Sequence, residues 1–299
     1  MLDNSRLLED TWLRWSADKL EDAKVAIMGI PFDNAVSFKK GAASAPEKLR
    51  ELSAELSDVA EDFIPIRDGV LYDFGDILPE LNWEKYFADV EENALHLMQS
   101  APFCLFLGGD HSVTIPLHKA FAKNNEGKKI GIIHFDAHYD LCKEYDGHPW
   151  SHACTEARAL DDVISGEDLF FIGVRVAELQ EMDVLEENPG IQNIGPKELD
   201  KIGVEAAFEK IREAFKDYDA LYLTLDIDVL DPAYAPGTGT PVSGGISSRQ
   251  FIDLTKMILE ELPVKAMDIV EVSPPNDVND ITSWAALRII HQVFTRFGK

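Results

Sequence analysis

The sequence predicts an α/β fold of three layers, α/β/α, with helices on both faces of a central, mostly parallel sheet. Three observations carry this expectation. Apolar runs of strand length alternate with amphipathic stretches of helix length, the pattern of parallel strands joined by crossover helices. The apolar runs are continuous rather than alternating in polarity, which suits strands buried on both faces. Acids or histidines stand directly after four of these runs. Open parallel sheets gather their ligands there, beyond the carboxyl ends of the strands.

In chain order the strand candidates are residues 24–29, 70–73, 103–107, 129–135, 169–173, 220–225 and 264–270. Helical spacing is read over 83–99, 113–123, 204–215, 248–261 and 282–297. Another helix start is marked by Ser44-Ala45-Pro46-Glu47, with Ser44 as the expected cap, a proline in the first turn and a glutamate at the third position. The chain has 299 residues, within the range that single α/β domains reach. No repeat, low-complexity tract or Gly/Ser linker divides it, so one catalytic domain is expected over 1–299.

Composition narrows the function. Hydrophobic residues make up 45%, enough for a large core. The three cysteines, Cys104, Cys142 and Cys154, form no C-x-x-C pair. They read as buried thiols in a reducing, cytoplasmic protein. Residues 1–22 lack a basic segment followed by an apolar one, so no signal peptide is expected, and no apolar run has membrane-spanning length. A net charge of -26 argues against nucleic acid as a partner. It suits attraction of a cationic substrate, although acidity spread along the chain equally suits solubility or a salty cytoplasm.

Two segments carry the chemistry. One reads His134-Phe135-Asp136-Ala137-His138-Tyr139-Asp140, the other Thr224-Leu225-Asp226-Ile227-Asp228. Side chains on extended backbone share a face every second residue. Asp136, His138 and Asp140 therefore project together, as do Asp226 and Asp228. Carboxylates crowded at a buried strand end repel and lose hydration, and divalent cations remove that cost. This many ligands, mostly oxygen, point to two metals. His111, in Gly108-Gly109-Asp110-His111-Ser112, is placed to add a nitrogen ligand, the glycines allowing close backbone approach. His134 is expected to point away from the metal face, in a core or supporting role. Asp231, before Pro232, reads as a structural turn residue.

The rim is built from other segments. His152, on the loop after the ligands, is a candidate proton shuttle, with Ser151 as a candidate helix cap. His148 reads as an exposed loop residue. The loop Pro236-Gly237-Thr238-Gly239-Thr240-Pro241 is expected to shape a pocket wall and present hydroxyls, Thr240 among them. Glu271 is expected to aim an unpaired carboxylate at the pocket, able to hold a cation by charge-assisted hydrogen bonds.

Together these stretches resemble the ureohydrolases, the dimanganese hydrolases of guanidino compounds that include arginase and agmatinase. The likeness runs through Gly-Gly-Asp110-His111-Ser, Phe-Asp136-Ala-His138-Tyr-Asp140, Ser-His152-Ala, the run from Leu225 through Asp226 and Asp228 to Thr240-Pro241, and Asp-Ile-Val-Glu271-Val. It extends to Gly29-Ile30-Pro31-Phe32-Asp33 near the start. The resemblance implies an arginase-like fold and two Mn²⁺ per subunit. It implies His111, Asp136, Asp140 and Asp226 on one ion and Asp136, His138, Asp226 and Asp228 on the other. It also implies a homotrimer or homohexamer. Agmatinases look closest through the loop 145–152, and the threonine- and asparagine-rich arginase loop is absent. Tyr139 departs from the smaller residue usual at its position, which implies an altered pocket.

The implied reaction cleaves agmatine to putrescine and urea by a metal-bridging hydroxide. Glu271 would hold the guanidinium, Asp140 would carry a proton to the leaving amine, and His152 would relay protons to solvent, with His152, Thr240 and Glu271 on the substrate. The alternatives are arginase, guanidinobutyrase or formimidoylglutamase activity, or a non-catalytic homologue that binds guanidino or polyamine ligands. A dimetal phosphoesterase is disfavoured by the excess of acids. Arg175 is the nearest candidate to cradle a substrate carboxylate, a structural ion pair being its other reading.

Overall fold

The computed structural model describes residues 2–3, 12 and 15–298. The expectation that residues 1–22 form no signal peptide thus lies largely outside the described residues. In chain order the strands are β1 (Leu2–Asp3), β2 (Val25–Gly29), β3 (Leu71–Ile77), β4 (Phe103–Leu107), β5 (Ile130–Phe135), β6 (Leu169–Ile172), β7 (Gln192–Ile194), β8 (Ala220–Asp226) and β9 (Val264–Val270). The helices are α1 (Ala45–Ser53), α2 (Trp83–Ser100), α3 (Thr114–Asn124), α4 (Thr155–Asp162), α5 (Leu179–Glu187), α6 (Pro196–Ile202), α7 (Val204–Ala214), α8 (Ser248–Glu261) and α9 (Ile281–Phe297).

The strands form one sheet in the order β1-β3-β2-β4-β9-β8-β5-β6-β7, parallel except for β1. Strand alternation splits the core in two. On one face lie Val25, Ile27, Leu105, Ile133, Leu223 and Met267, under α1 and α6–α9. On the other lie Ala26, Met28, Phe106, Ile132, Tyr222 and Ala266, under α2–α5. This is the expected three-layer arrangement. Right-handed crossovers explain which helix covers which face. Steps toward β7 (β3→β4, β4→β5, β5→β6, β6→β7) all carry their helices on the second face. Steps the other way (β2→β3, β7→β8, β8→β9) carry theirs on the first.

That topology makes a crevice. At β4/β9 and again at β8/β5, neighbouring strands send their chains to opposite faces. Such switch points leave a gap beyond the carboxyl ends. Register brings the four ends level, because Leu107 pairs with Ile269, Ile269 with Leu225, and Leu225 with Phe135. The residues that follow this rung enter one space.

Most predicted strands and helices agree with the observed ones to within a residue or two. Strands β1 and β7 and helices α4–α6 are not among the predicted elements. They are short, and β7 exposes two of its three residues, so its apolar signal is weak. Helix α1 starts where expected, but not by the expected cap. The Ser44 hydroxyl donates back to the Gly41 carbonyl (2.7 Å) instead of accepting from the helix. Among the described residues, no helix is long and apolar enough to cross a membrane.

Candidate metal centre and active site

The turn after β4 sets the first wall. Its Asp110 caps the following turn, accepting the Ser112 N–H (3.1 Å) and, through the other oxygen, the Ala35 N–H (2.9 Å). This ties the loop after β2 to the site. Gly109 is required by proximity: a Cβ there would stand 1.8 Å from the Phe32 carbonyl oxygen. The chain can therefore turn His111 over the strand ends.

His111 is held from behind. Its Nε2 lies 2.9 Å from the Thr224 hydroxyl, which in turn donates to Asp268 Oδ1 (2.7 Å). Tyr222 (2.8 Å) and Thr114 (2.9 Å) both donate to Asp268 Oδ2. Because the Thr224 proton goes to Asp268, its oxygen accepts from His111 Nε2–H. The neutral ring then presents the Nδ1 lone pair. Nδ1 faces Asp136 Oδ2 (3.1 Å), Asp140 Oδ2 (3.1 Å) and Asp226 Oδ2 (3.3 Å), yet it is buried without a hydrogen-bond partner.

A second group joins it. His138 Nδ1 lies 3.2 Å from both Asp136 Oδ1 and Asp228 Oδ2. Backbone donors fix these carboxylates: His138 N–H on Asp136 (2.6 Å), Ala137 N–H on Asp228 (3.0 Å) and Asp228 N–H on Asp226 (2.8 Å). All four aspartates are buried. Burial, followed by neighbouring Asp136, pushes the Asp140 carboxyl up. Burial, followed by Asp228 and Asp136, pushes that of Asp226 well up. Two clusters have donor atoms converged closely enough to hold an ion: His111, His134, Asp136 and Asp140, and Asp136, His138 and Asp228. The orphaned Nδ1 and the uncompensated acids fit a pair of divalent cations.

The structure thus brings together all six predicted metal residues. It corrects the expectation for His134. That ring shares the parity of Asp136 and does not point away: Nε2 lies 2.8 Å from Asp136 Oδ2 and Nδ1 2.7 Å from Glu156 Oε1. Asp268, Thr224 and Glu156 support the ligands and are absent from the sequence prediction. Their only signal is a polar residue inside or just after an apolar run, which a satisfied core residue would also give.

The rim residues are also placed. Glu271 and Asp140 adopt left-handed backbone, with φ of +60° and +52°. Residues other than glycine adopt it uncommonly, aspartate more readily than glutamate. The Glu271 carboxylate is not unpaired as expected. Its Oε1 accepts the His111 N–H (3.0 Å) and faces His152 Nδ1 (3.2 Å). Oε2 faces Gly239, where a Cβ would stand 3.5 Å away. His152 Nε2 accepts the Ser37 N–H (3.1 Å) and meets the Ser37 hydroxyl (2.9 Å). The Ser37 N–H can donate only to a bare Nε2, so it holds the ring neutral with its proton on Nδ1 toward Glu271, against the upward pull of Glu271 on the ring's pKa, which burial opposes. Ser151 is no side-chain cap: its hydroxyl donates to the Ala35 carbonyl (3.2 Å). His148 is not an exposed loop residue but half-buried, packed on Trp83 at 4.6 Å between centroids. Asp231 is structural as expected, accepting Ala233, Gly244 and Gly245 N–H groups.

A cavity opens over the acids, lined by Ser37, His138, Asp140, Cys142, Tyr145, His152, Ala153, Val176, Ala177, Glu178, Glu181, Asp226 and Thr240. No lysine or arginine is among them. Thr240 donates to Asp228 Oδ2 (3.2 Å), so part of its hydroxyl's capacity is spent on the acid cluster. Tyr139 does not line this cavity; its ring packs edge-on against Phe171 at 5.0 Å. Arg175 is neither a carboxylate cradle nor an ion pair. Its guanidinium donates to the carbonyls of Gly173, Asp228, Val229, Leu230 and Val242, which engages all of its N–H groups. Glu181 is buried in the cavity lining, where its two oxygens accept the N–H of Leu141, the residue after Asp140 (2.9 Å), and the Glu178 N–H (2.7 Å). Burial pushes its carboxyl up to about 7.

Comparison with known proteins decides the family. The arginase family model matches residues 23–295. The chain belongs to the arginase family. It is 35% identical to an agmatinase of Bacillus anthracis over 293 residues, 95% of each chain. A hypothetical agmatinase from Burkholderia thailandensis superposes with a TM-score of 0.83 at 30% identity, covering 97% of this chain and 90% of that one. Proclavaminate amidino hydrolase from Streptomyces clavuligerus gives a TM-score of 0.87 at 28% identity, covering 99% of each chain. This arginase-family member is an agmatinase-like ureohydrolase, a hydrolase of guanidino compounds. The family depends on a binuclear metal centre.

Proposed function

We propose that this ureohydrolase cleaves agmatine to putrescine and urea, with two Mn²⁺ held in one catalytic domain spanning 1–299. His111, Asp136, Asp140 and Asp226 would hold one ion, and Asp136, His138, Asp226 and Asp228 the other. The observation that carries the substrate is the charge of the cavity. Its acids include Glu178 and Glu181 besides the clustered aspartates, and no lysine or arginine lines it. Of the cations next to the lining in sequence, Arg175 is consumed by carbonyls and Lys143 pairs with Glu187. A substrate tail bearing a carboxylate would be repelled; an alkylammonium tail would be held. This favours agmatine over arginine, 4-guanidinobutyrate or formimidoylglutamate.

When bound, such a metal pair lowers the pKa of water and supplies a nucleophile at neutral pH. The chain's residues do the rest. Glu271 holds the guanidinium through Oε2, while Oε1 stays tied to the His111 N–H. Asp140, whose carboxyl is raised by burial, takes a proton and delivers it to the leaving amine. His152, between Glu271 and Ser37 at the cavity wall, relays protons to solvent. Thr240 fixes Asp228 and the wall beside the substrate. The enzyme is proposed to work in the cytoplasm as a homotrimer or homohexamer; exposed Leu81 and Leu179 (98% and 88%) offer apolar surface for assembly.

Urea release by manganese-loaded protein tests the reading, with agmatine, arginine and 4-guanidinobutyrate compared and a metal-stripped control. Metal-dependent urea from agmatine above the others is expected. Urea chiefly from a carboxylate-bearing substrate would overturn the assignment of the tail, and none from any of them would overturn the assigned activity.

A further inference from the structure

Two buried residues outside the proposed ligand set converge on the shared aspartate. The His134 ring spans Asp136 Oδ2 (2.8 Å) and Glu156 Oε1 (2.7 Å). Neither residue is exposed to solvent. Asp136 Oδ1 already accepts the His138 N–H (2.6 Å). With both oxygens engaged from different sides, the plane of its carboxylate is fixed.

Glu156 also anchors the neighbouring ligand's backbone. It opens α4, and the N–H groups of Glu156 (3.0 Å) and Ala157 (3.2 Å) both donate to the Asp140 carbonyl. Asp140 is the residue held at φ +52°. One helix turn thus grips Asp140 by its main chain and Asp136 through an imidazole. The other oxygen, Glu156 Oε2, lies 4.0 Å from His118 Nδ1 and has no hydrogen-bond partner among the described residues. Burying a carboxylate with an unsatisfied oxygen is costly, more than a core position would need. His134 has its own packing, lying 4.7 Å from the His111 ring and 5.0 Å from Phe171. An aromatic of similar size would satisfy that packing without the two hydrogen bonds.

We propose that Glu156 and His134 are positioning residues for the metal centre: Glu156 orients the His134 imidazole, which aims Asp136 at the cations. This rests on the reading that Asp136 is a shared ligand. Partners behind metal ligands fix ligand orientation, and their loss typically costs about 10- to 100-fold in metal affinity or activity. The role predicts a graded series. Glu156→Leu removes the acceptor for His134 Nδ1. Glu156→Gln keeps an acceptor oxygen there. His134→Phe keeps the ring and removes both contacts.

The test is Mn²⁺ titration of stripped protein, followed by metal content per chain after dialysis and by unfolding temperature against added metal, with KM for agmatine alongside. Wild type is expected to bind and be stabilised by Mn²⁺. Glu156→Leu and His134→Phe should need about 10- to 100-fold more metal for half-saturation, with KM at saturating metal unchanged. Glu156→Gln should recover most of the affinity. Wild-type metal affinity in both Glu156→Leu and His134→Phe would overturn the positioning role. The same result in His134→Phe alone would do so if Glu156→Leu fails to fold. A wild-type protein that binds no Mn²⁺ would instead overturn the metal assignment beneath it.

Discussion

Two histidines meet at Asp136 from opposite situations. His111 is sealed in, with its side chain 1% exposed and its Nε2 tied through Thr224 to Asp268. The side chain of His138 is 27% exposed and its Nδ1 lies between Asp136 and Asp228 on the cavity wall. Both rings offer Nδ1 to carboxylates at 3.1–3.3 Å. They differ in what stands behind them. Rigid support lowers the entropy lost when a ligand engages, and open water can replace a ligand that leaves. The sequence gives both residues the same apparent status; the fold makes one a buried anchor and the other a surface of the pocket.

The comparison breaks most sharply at the ligands. His111→Ala is expected to lose one cation per chain and at least about 100-fold in activity, beyond the usual cost of a supporting residue. Raised Mn²⁺ should not restore it. His138→Ala should bind its cation more weakly yet regain much of its activity at high Mn²⁺, since solvent reaches that position. Metal content by elemental analysis beside urea release reads both. Equal, irreversible losses would erase the distinction.

Next comes Glu271, proposed to hold the guanidinium. Glu271→Gln keeps an acceptor for the His111 N–H but removes the charge. It should lower kcat/KM for agmatine by about 10- to 200-fold, the worth of a hydrogen bond to a charged group. Metal content should hold. Steady-state kinetics on fully loaded protein decide it, and undiminished activity sinks the role.

A smaller effect is expected at Glu181. Burial raises Glu181 to about 7. Its ionised form, the one that attracts an ammonium, therefore grows as pH rises through neutrality. KM for agmatine should fall by up to about tenfold between pH 6 and pH 8. In Glu181→Gln that slope should flatten, and a slope that persists would remove Glu181 from the tail's partners. The least effect is expected at Tyr139, which packs on Phe171 outside the cavity lining. Tyr139→Thr should change KM by less than about twofold while lowering stability by about 1 kcal/mol or more through lost packing. A large change in KM would return it to the pocket.

Much of this was readable in the chain. Continuous apolar strands gave the parallel sheet, because only strands covered on both faces dispense with polar alternation. The runs Asp136-x-His138-x-Asp140 and Asp226-x-Asp228 do bring their acids and imidazole together, but not on the expected extended backbone: β5 ends at Phe135, Asp140 is left-handed at φ +52°, and Asp228 sits in a 3-10 turn after β8. Other features failed for physical reasons. Ser44 and Ser151 look like caps, but each hydroxyl found a nearer carbonyl. Arg175 looked available for a carboxylate, and the loop 228–230 folded onto it.

The sequence by itself determined the three-layer class, the strand ends that bear chemistry and the family's ligand pattern, since those follow from local period and residue type. Tertiary structure alone decided that β4, β9, β8 and β5 lie side by side with level ends. It also decided that Asp268 and Glu156, from β9 and α4, stand behind the ligands. Those partners are far apart in the chain. A contact between them leaves no local signature, because it exists only once right-handed crossovers have set the strand order.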